Sequence, residues 1–402
     1  MTQDTQKARH PKTGQEQIVS SLAREIPPFI AMDVLERAKA LEREGVRVIH
    51  LEVGEPDFDT PEPVIEVAKR ALASGQTHYT HSLGVLELRE EIARHYERRY
   101  GVTVSPDQII VTSGTSPALM LVFAAVCNPG DEVIISDPHY ACYPNAIRAA
   151  GGAPVKVPVA EQDGFRFRVE DLRKGITPQT KAILINSPAN PTGTLFRPDD
   201  LAAIAGVEPL IVSDEIYHGL VYGDREHTIL EYTDHAVVIN GFSKLYAMTG
   251  WRLGYVIVPP ELVRPVQKLQ QNLFICAAAF SQYAAIAALR ECGEHTARMV
   301  RTYDERRRHM LRRLREIGLK VAVEPTGAFY ILANCRHISA DSYALAFDIL
   351  EKSGVAVTPG IDFGANAEGF LRFSYANSIE NIEEAMGRLE RYLDKRDRRP
   401  GL

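Results

Sequence analysis

The chain is sparing with cysteine. Its five residues of this type (Cys127, Cys142, Cys276, Cys292 and Cys335) never form a CxxC pair. That scatter excludes a zinc ribbon and a disulfide framework, and a reducing, cytoplasmic setting is expected. A long apolar run is missing as well. The longest clear one, ALMLVFAAVC at 118–127, falls short of the roughly 18 residues a membrane span requires. The polar opening MTQDTQKARHPKTGQEQ has no apolar signal region, and a flexible tail is expected over residues 1–17. Nor is there surplus positive charge. A formal net charge of -6 argues against nucleic acid or an anionic membrane as partner. The one basic concentration, RMVRTYDERRRHMLRRLREIG at 298–318, spaces its arginines helically around Met299, Met310, Leu311 and Leu314, which reads as a solvated helix face.

What is present is an ordinary globular balance, 45% hydrophobic and 24% charged, in a strongly patterned order. MDVLERAKALEREG (32–45) has helical periodicity and stops on Gly45. From residue 61 to 295, helical stretches such as PEPVIEVAKRALAS and LELREEIARHYERRYG alternate with short apolar runs: QIIVTSG, DEVIISDP, PVKVPV, KAILINSP, PLIVSDE, AVVINGFSK and RLGYVIVP. Runs of this length between helices predict a mostly parallel sheet covered on both faces. After residue 296, the arginine-rich helix is followed by GLKVAVEPTGAFYILAN, a helix at 341–353, VAVTPG, FLRFSYAN and a last helix. The expected fold class is α/β: a large sandwiched domain over 61–295 plus a smaller α+β domain over 296–402. Residues 18–60 form an N-terminal arm that is expected to join the smaller domain.

In open α/β sheets, ligands sit beyond the carboxyl ends of the strands. Reading just past each run therefore collects Gly114, Thr115 and Ser116, then Tyr140, Asn190, Asp214, Tyr217, Ser243 and Lys244. In SGTSPAL, Ser116 suits a helix N-cap and Pro117 the first helical position. Such a terminus is either an ordinary capped helix or an anion site. Asp214 is either a buried hydrogen-bonding group or the counter-ion of a protonated ring nitrogen. Arg372, facing away from Leu371, Phe373 and Tyr375, is either half of a structural ion pair or a fork for a carboxylate. Lys244 lies eight positions before Arg252, and an amine that is partly desolvated beside a cation becomes a better nucleophile towards aldehydes. Amine, acid and phosphate grip together describe a site for pyridoxal 5′-phosphate.

Seven motifs in order, VGEPDFDTP, YTHSLGVLELR, TSGTSPAL, NSPANPTG, SDEIY, SKLYAMTGWRLGY and LRFSYA, make the chain resemble the class I aminotransferases of fold-type I from about Glu25 to the last helix. The resemblance implies a ping-pong transfer of the amino group of an L-amino acid to a 2-oxo acid through a Lys244 Schiff base. It implies that Asp214 keeps the cofactor ring nitrogen protonated. Asn190 and Tyr217 would hydrogen-bond its phenolic oxygen, and Tyr140 would stack on the ring. Thr115, Ser116, Ser243 and Arg252 would bind the phosphate with the Gly114 backbone. Arg372 would bind the substrate α-carboxylate, helped by Asn190 and the backbone at Gly54. Tyr79 would reach the phosphate of the other subunit of a homodimer. One departure concerns Ser116: aspartate-specific relatives often carry a lysine there, which puts an aspartate preference in doubt. No metal is expected, because His78 and His81 lack a third ligand. A β-eliminating lyase of the cysteine-S-conjugate type would use the same lysine and is the alternative. A regulatory relative with an added helix-turn-helix domain is not expected, and the absence of G-x-G-x-x-G after the first strand argues against a nicotinamide dehydrogenase.

Overall fold

The computed structural model describes residues 18–397, so the tail expected over 1–17 lies outside the described residues. After a short strand β1 (Ile49–His50), each of the seven apolar runs becomes a strand: β2 (Ile109–Thr112), β3 (Glu132–Asp137), β4 (Ala153–Pro158), β5 (Thr180–Asn186), β6 (Leu210–Asp214), β7 (Ala236–Gly241) and β8 (Gly254–Ile257). They form one sheet in the order β2-β8-β7-β6-β5-β3-β4. Only β8 runs antiparallel to its neighbours; the β3, β4, β5, β6 and β7 pairings are parallel.

The period of two explains why these runs are apolar throughout. Ile183, Ile211 and Val238 face one layer, with Leu88, Ile92 and Tyr96 of the helix Leu86–Tyr100. Leu184, Val212 and Ile239 face the other, with Leu121, Val122 and Phe123 of the helix Thr115–Val126. Both faces are thus buried, as in an α/β sandwich. From β3 the chain runs outward to β4 and then returns to β5 on the other side of β3, which creates a switch point at their carboxyl ends.

The C-terminal region contains β9 (Tyr330–Asn334), β10 (Val355–Ala356), β11 (Thr358–Pro359) and β12 (Phe370–Ser374). Strands β11-β12-β9 form an antiparallel sheet, while β10 pairs in parallel with β1. The helix Gly293–Glu316 turns Met299, Met310, Leu311 and Leu314 into this core and leaves most of its arginines in ion pairs at the surface. The helix Ile30–Arg43 packs Val34, Ala38 and Leu41 against Val48, Leu350 and Ala356, so residues far apart in sequence share one small core.

Two local expectations fail. The stretch before β9 is extended only at two isolated bridges, Lys320 to Asn334 and Gly327 to Val221. Pro325 has no N–H, and the N–H groups of Thr326 and Gly327 both donate to the Gly193 carbonyl at 2.9 Å, which leaves no ladder there. VAVTPG is not one strand either. It divides at Val357, with β10 serving one sheet and β11 the other.

Candidate active site

Of the thirteen residues marked from sequence, all but Gly114 and Tyr79 line one cleft of about 370 Å³ at the carboxyl ends of the sheet. It lies where β2, β3, β5, β6 and β7 end and the C-terminal region leans over them.

Asp214 ends β6 and is 5% exposed. Its Oδ2 accepts a hydrogen bond from Tyr143 Oη at 2.6 Å, and its Oδ1 accepts from the Ile216 N–H at 3.2 Å. Burial pushes the carboxyl up to about 6; those two bonds and the charge of Lys244 oppose the rise. Asn186 braces the same strand end, donating to the Asp214 carbonyl at 2.8 Å while accepting from the Asn190 N–H at 2.8 Å.

Lys244 follows β7, and its Nζ donates to the Gly54 carbonyl at 2.6 Å. Burial pulls the amine from its ordinary 10.5 down to about 8. Glu55 and Asp214 act against that fall, and Arg372 and Arg252 act with it. The amine therefore reaches half deprotonation near pH 8, far below an ordinary lysine, and nucleophilic attack on an aldehyde uses that neutral form. Residue 54 has to be glycine, since a Cβ there would collide with Tyr330 Oη. That phenol in turn meets Tyr217 Oη at 2.8 Å.

The expected helix cap moves. Gly114, not Ser116, is the N-cap of the helix Thr115–Val126, so Ser116 and Pro117 lie inside its first turn. Gly114 has φ +103, a conformation that side chains rarely adopt, and a Cβ there would stand 2.7 Å from Arg252 Nη2. The guanidinium of Arg252 thus rests directly on the helix terminus, held by donation to the Thr249 carbonyl at 2.7 Å. Ser243 lines the cleft beside Lys244.

Arg372, on β12, is 2% exposed. Its Nη1 donates to Asn190 Oδ1 at 2.9 Å, and its Nη2 donates to the Glu52 carbonyl at 2.5 Å and to Thr358 Oγ1 at 3.1 Å. The rings of Tyr330 and Phe363 stack on it at 4.4 and 4.8 Å. Its Nε is buried without a partner. Among the described residues, neither Arg372 nor Arg252 has a carboxylate within salt-bridge distance. A buried guanidinium with only neutral acceptors is set for an anion from outside the chain.

Tyr79 is 80% exposed and away from the cleft of its own chain. His81 Nδ1 accepts from the Leu83 N–H at 3.2 Å, and among the described residues no cluster of histidine, cysteine and acidic groups could hold a metal. All five cysteines are unpaired, and among the described residues no helix is long and apolar enough to cross a membrane. Reading past strand ends does not find Tyr143, Tyr330 and Thr358. Tyr143 lies three residues beyond Tyr140 and Tyr330 alternates along β9, and those spacings are the signals that could have flagged them.

The family model for class I and II aminotransferases matches residues 46–389. The (5-formylfuran-3-yl)methyl phosphate transaminase of Methanocaldococcus jannaschii is 43% identical, over 91% of this chain and 97% of that protein. The valine–pyruvate aminotransferase of Mycobacterium tuberculosis is 39% identical, over 92% and 97%. Among solved structures, the aspartate aminotransferase of Thermus thermophilus with maleate superposes with a TM-score of 0.89 at 39% identity, covering 93% of this chain and 99% of that one. The chain belongs to the class I and II aminotransferases: it is a fold-type I, pyridoxal-phosphate-dependent enzyme acting on amino acids and 2-oxo acids. Its cleft fits that cofactor, with an amine of lowered basicity, a buried and braced carboxyl group, and a cation seated on a helix terminus.

Proposed function

We propose that this transaminase divides its cleft between a cofactor grip, built on Gly114, Thr115, Ser116, Ser243 and Arg252, and a substrate grip, built on Arg372, Asn190 and the backbone at Gly54. Pyridoxal phosphate, when bound, supplies an aldehyde carbon and a ring that accepts electrons from the substrate α-carbon. Lys244 Nζ anchors that aldehyde at rest and carries the proton to and from the substrate α-carbon during transfer. Asp214, held by Tyr143, keeps a proton on the ring nitrogen through its negative charge. Asn190 and Tyr217 are the donors for the ring oxygen, with Tyr330 fixing Tyr217. Tyr140 covers the ring face. Arg372 takes the substrate α-carboxylate as a bidentate partner, which orients the α-carbon under Lys244.

The observation that carries this reading is the juxtaposition of a Lys244 amine lowered to about 8 with a buried Arg372 that has no carboxylate of its own. One group needs an aldehyde, and the other needs an acid. The test is to follow the visible absorbance of the purified holoenzyme while single amino acids are added without a 2-oxo acid. A spectral change with one equivalent of oxo acid released per site supports the reading. Pyruvate and ammonia accumulating with the band unchanged would mean β-elimination, which the transaminase names of the relatives do not favour.

The enzyme acts as a homodimer in this reading. Tyr79, Leu273 and Ile275 are all exposed, and donation from the Thr80 N–H to Cys276 Sγ at 3.4 Å ties the segment carrying Tyr79 to the one that follows the helix Pro260–Leu273. A second copy would cover these apolar side chains and receive the Tyr79 phenol at its own phosphate grip. Sedimentation of wild type and of Tyr79→Phe tests both points: the substitution leaves the dimer and weakens cofactor retention. The domain division at residues 61 and 296, with 18–60 joined to the C-terminal part, and a reducing cytoplasmic location that suits five unpaired thiols complete the reading.

A further inference from the structure

The names of the relatives leave the donor side chain open, and the cleft itself is more informative. It is lined by three cations, Lys244, Arg252 and Arg372, and each already has a task. Its remaining charged residues are acids: Glu52, whose carboxylate pairs with His50 at 2.7 Å, Glu55, and Asp214, so the lining offers no spare cation to a second carboxylate. Facing them is an apolar wall of Phe29, Met32 and Leu35, from the start of the helix Ile30–Arg43 and the residue before it. Met32 and Leu35 are three apart and share a helix face, distinct from the face that Val34, Ala38 and Leu41 bury. Met32 remains 52% exposed. Phe29 meets the ring of Tyr140 edge-on, with centroids 6.0 Å apart.

The wall is positioned from the far end of the chain. Phe29 provides no side-chain cap for its helix. The carboxylate of Asp362 does so instead, accepting from the Ile30 N–H at 2.9 Å and from the Ala31 N–H at 3.1 Å, across 332 and 331 residues. The next residue, Phe363, is one of the two rings stacked on Arg372. A single turn, Gly360–Phe363, therefore holds the apolar wall with one side chain and the carboxylate fork with the next.

We propose that the cleft selects amino donors with a medium or large apolar side chain, laid against Phe29, Met32 and Leu35, and that Asp362 is the positioning residue that sets this wall. The inference rests on the transaminase reading of the cleft.

Half-reactions of the holoenzyme with leucine, phenylalanine, alanine, aspartate and glutamate test it, alongside calorimetric binding of two unreactive acids, isocaproate and maleate. Leucine and phenylalanine should exceed aspartate in kcat/KM by about tenfold or more, and isocaproate should bind more tightly than maleate. Asp362→Ala should raise KM for leucine several-fold while leaving its kcat and the constants for alanine nearly unchanged. Asp362→Asn, which keeps one acceptor oxygen, should recover part of the loss. An equal loss for every donor would make Asp362 merely structural and overturn its assignment. Should Asp362→Ala fail to fold, Met32→Lys at the half-exposed wall remains informative: it should lose leucine and gain maleate. A preference for aspartate in the wild type would overturn the proposal. If no donor reacted, the transaminase reading would fall, while the order of the two unreactive acids would still decide for or against the wall.

Discussion

The two guanidiniums of the cleft, neither paired with a carboxylate, are built in opposite ways. Arg252 belongs to the large sheet alone. It stands in a left-handed turn (φ +53) after β7, bonds within its own loop, and leans on the glycine that opens a helix after β2. Arg372 belongs to the whole chain. Its neighbours come from residues 52, 190, 330, 358 and 363, and it loses almost all solvent contact. A grip made from one strand end and one turn exists wherever that sheet folds. A grip assembled from five segments exists only once the N-terminal arm and the C-terminal region have docked. In the proposed division of the cleft, cofactor binding is therefore tied to the core sheet, and substrate binding to the assembly of the whole molecule.

The most severe way to break the contrast is to remove what both grips serve. Lys244→Ala should lower kcat by roughly two to four orders of magnitude, the range for losing a positioned acid/base group, while donor binding to Arg372 persists. Rapid-mixing of the loaded variant with amino acid checks this, and near-normal turnover would remove Lys244 from the chemistry. Next comes the substrate side. Arg372→Lys loses the fork and strands buried acceptors, so kcat/KM should fall by roughly a hundredfold or more with cofactor content unchanged. On the cofactor side, Arg252→Gln should weaken pyridoxal phosphate by roughly ten- to a hundredfold, the scale of lost charge-assisted hydrogen bonds, and leave donor KM intact at saturating cofactor. If both arginine variants altered cofactor and donor binding equally, the separation of the two grips would collapse.

The same contrast decides what could be read in advance. The sheet side was legible because burial on both faces forces continuous apolar runs, and ligand-facing residues follow directly after them: Asp214 after β6 and Lys244 after β7. The start of the helix after β2 was misjudged by two residues. Serine and proline are good caps in isolation, but the chain reverses at Gly114, whose φ of +103 only glycine adopts freely. The substrate side was legible only as the outward-facing Arg372. Its setting is long-range: Thr358 from a strand too short to show a period, Tyr330 behind a turn whose donors serve Gly193, and Asp362 capping a helix 332 residues away. Local pattern carries no record of such pairings.

The smallest expected effect probes the large sheet without either ligand. In the cofactor-free enzyme, burial lowers the Lys244 amine from 10.5 to about 8. Below about pH 8 the amine is protonated in both the folded and unfolded chains, so the full cost of holding that charge in the cleft opposes folding. Between about 8 and 10.5 the unfolded chain binds the extra proton, stability rises with pH, and above 10.5 the cost has gone. At about 1.4 kcal/mol per unit the cost is at most about 3.5 kcal/mol, reduced by water reaching the amine from the cleft. Asp214 behaves in the mirror sense. Its carboxyl rises from 3.8 to about 6, so stability falls as pH climbs through that interval and the charged acid weighs on the fold above it. Both costs therefore overlap between about pH 6 and 8, the interval in which the loaded site would be using both charges. Comparing the melting temperatures of cofactor-free wild type and Lys244→Met isolates the lysine from every other titrating group. The variant should melt a few degrees higher at pH 7, and its advantage should shrink steadily towards pH 10.5. An advantage that stayed constant across that range would mean the amine is not strained by burial, and the lowered basicity on which its role depends would have to come from the cofactor instead.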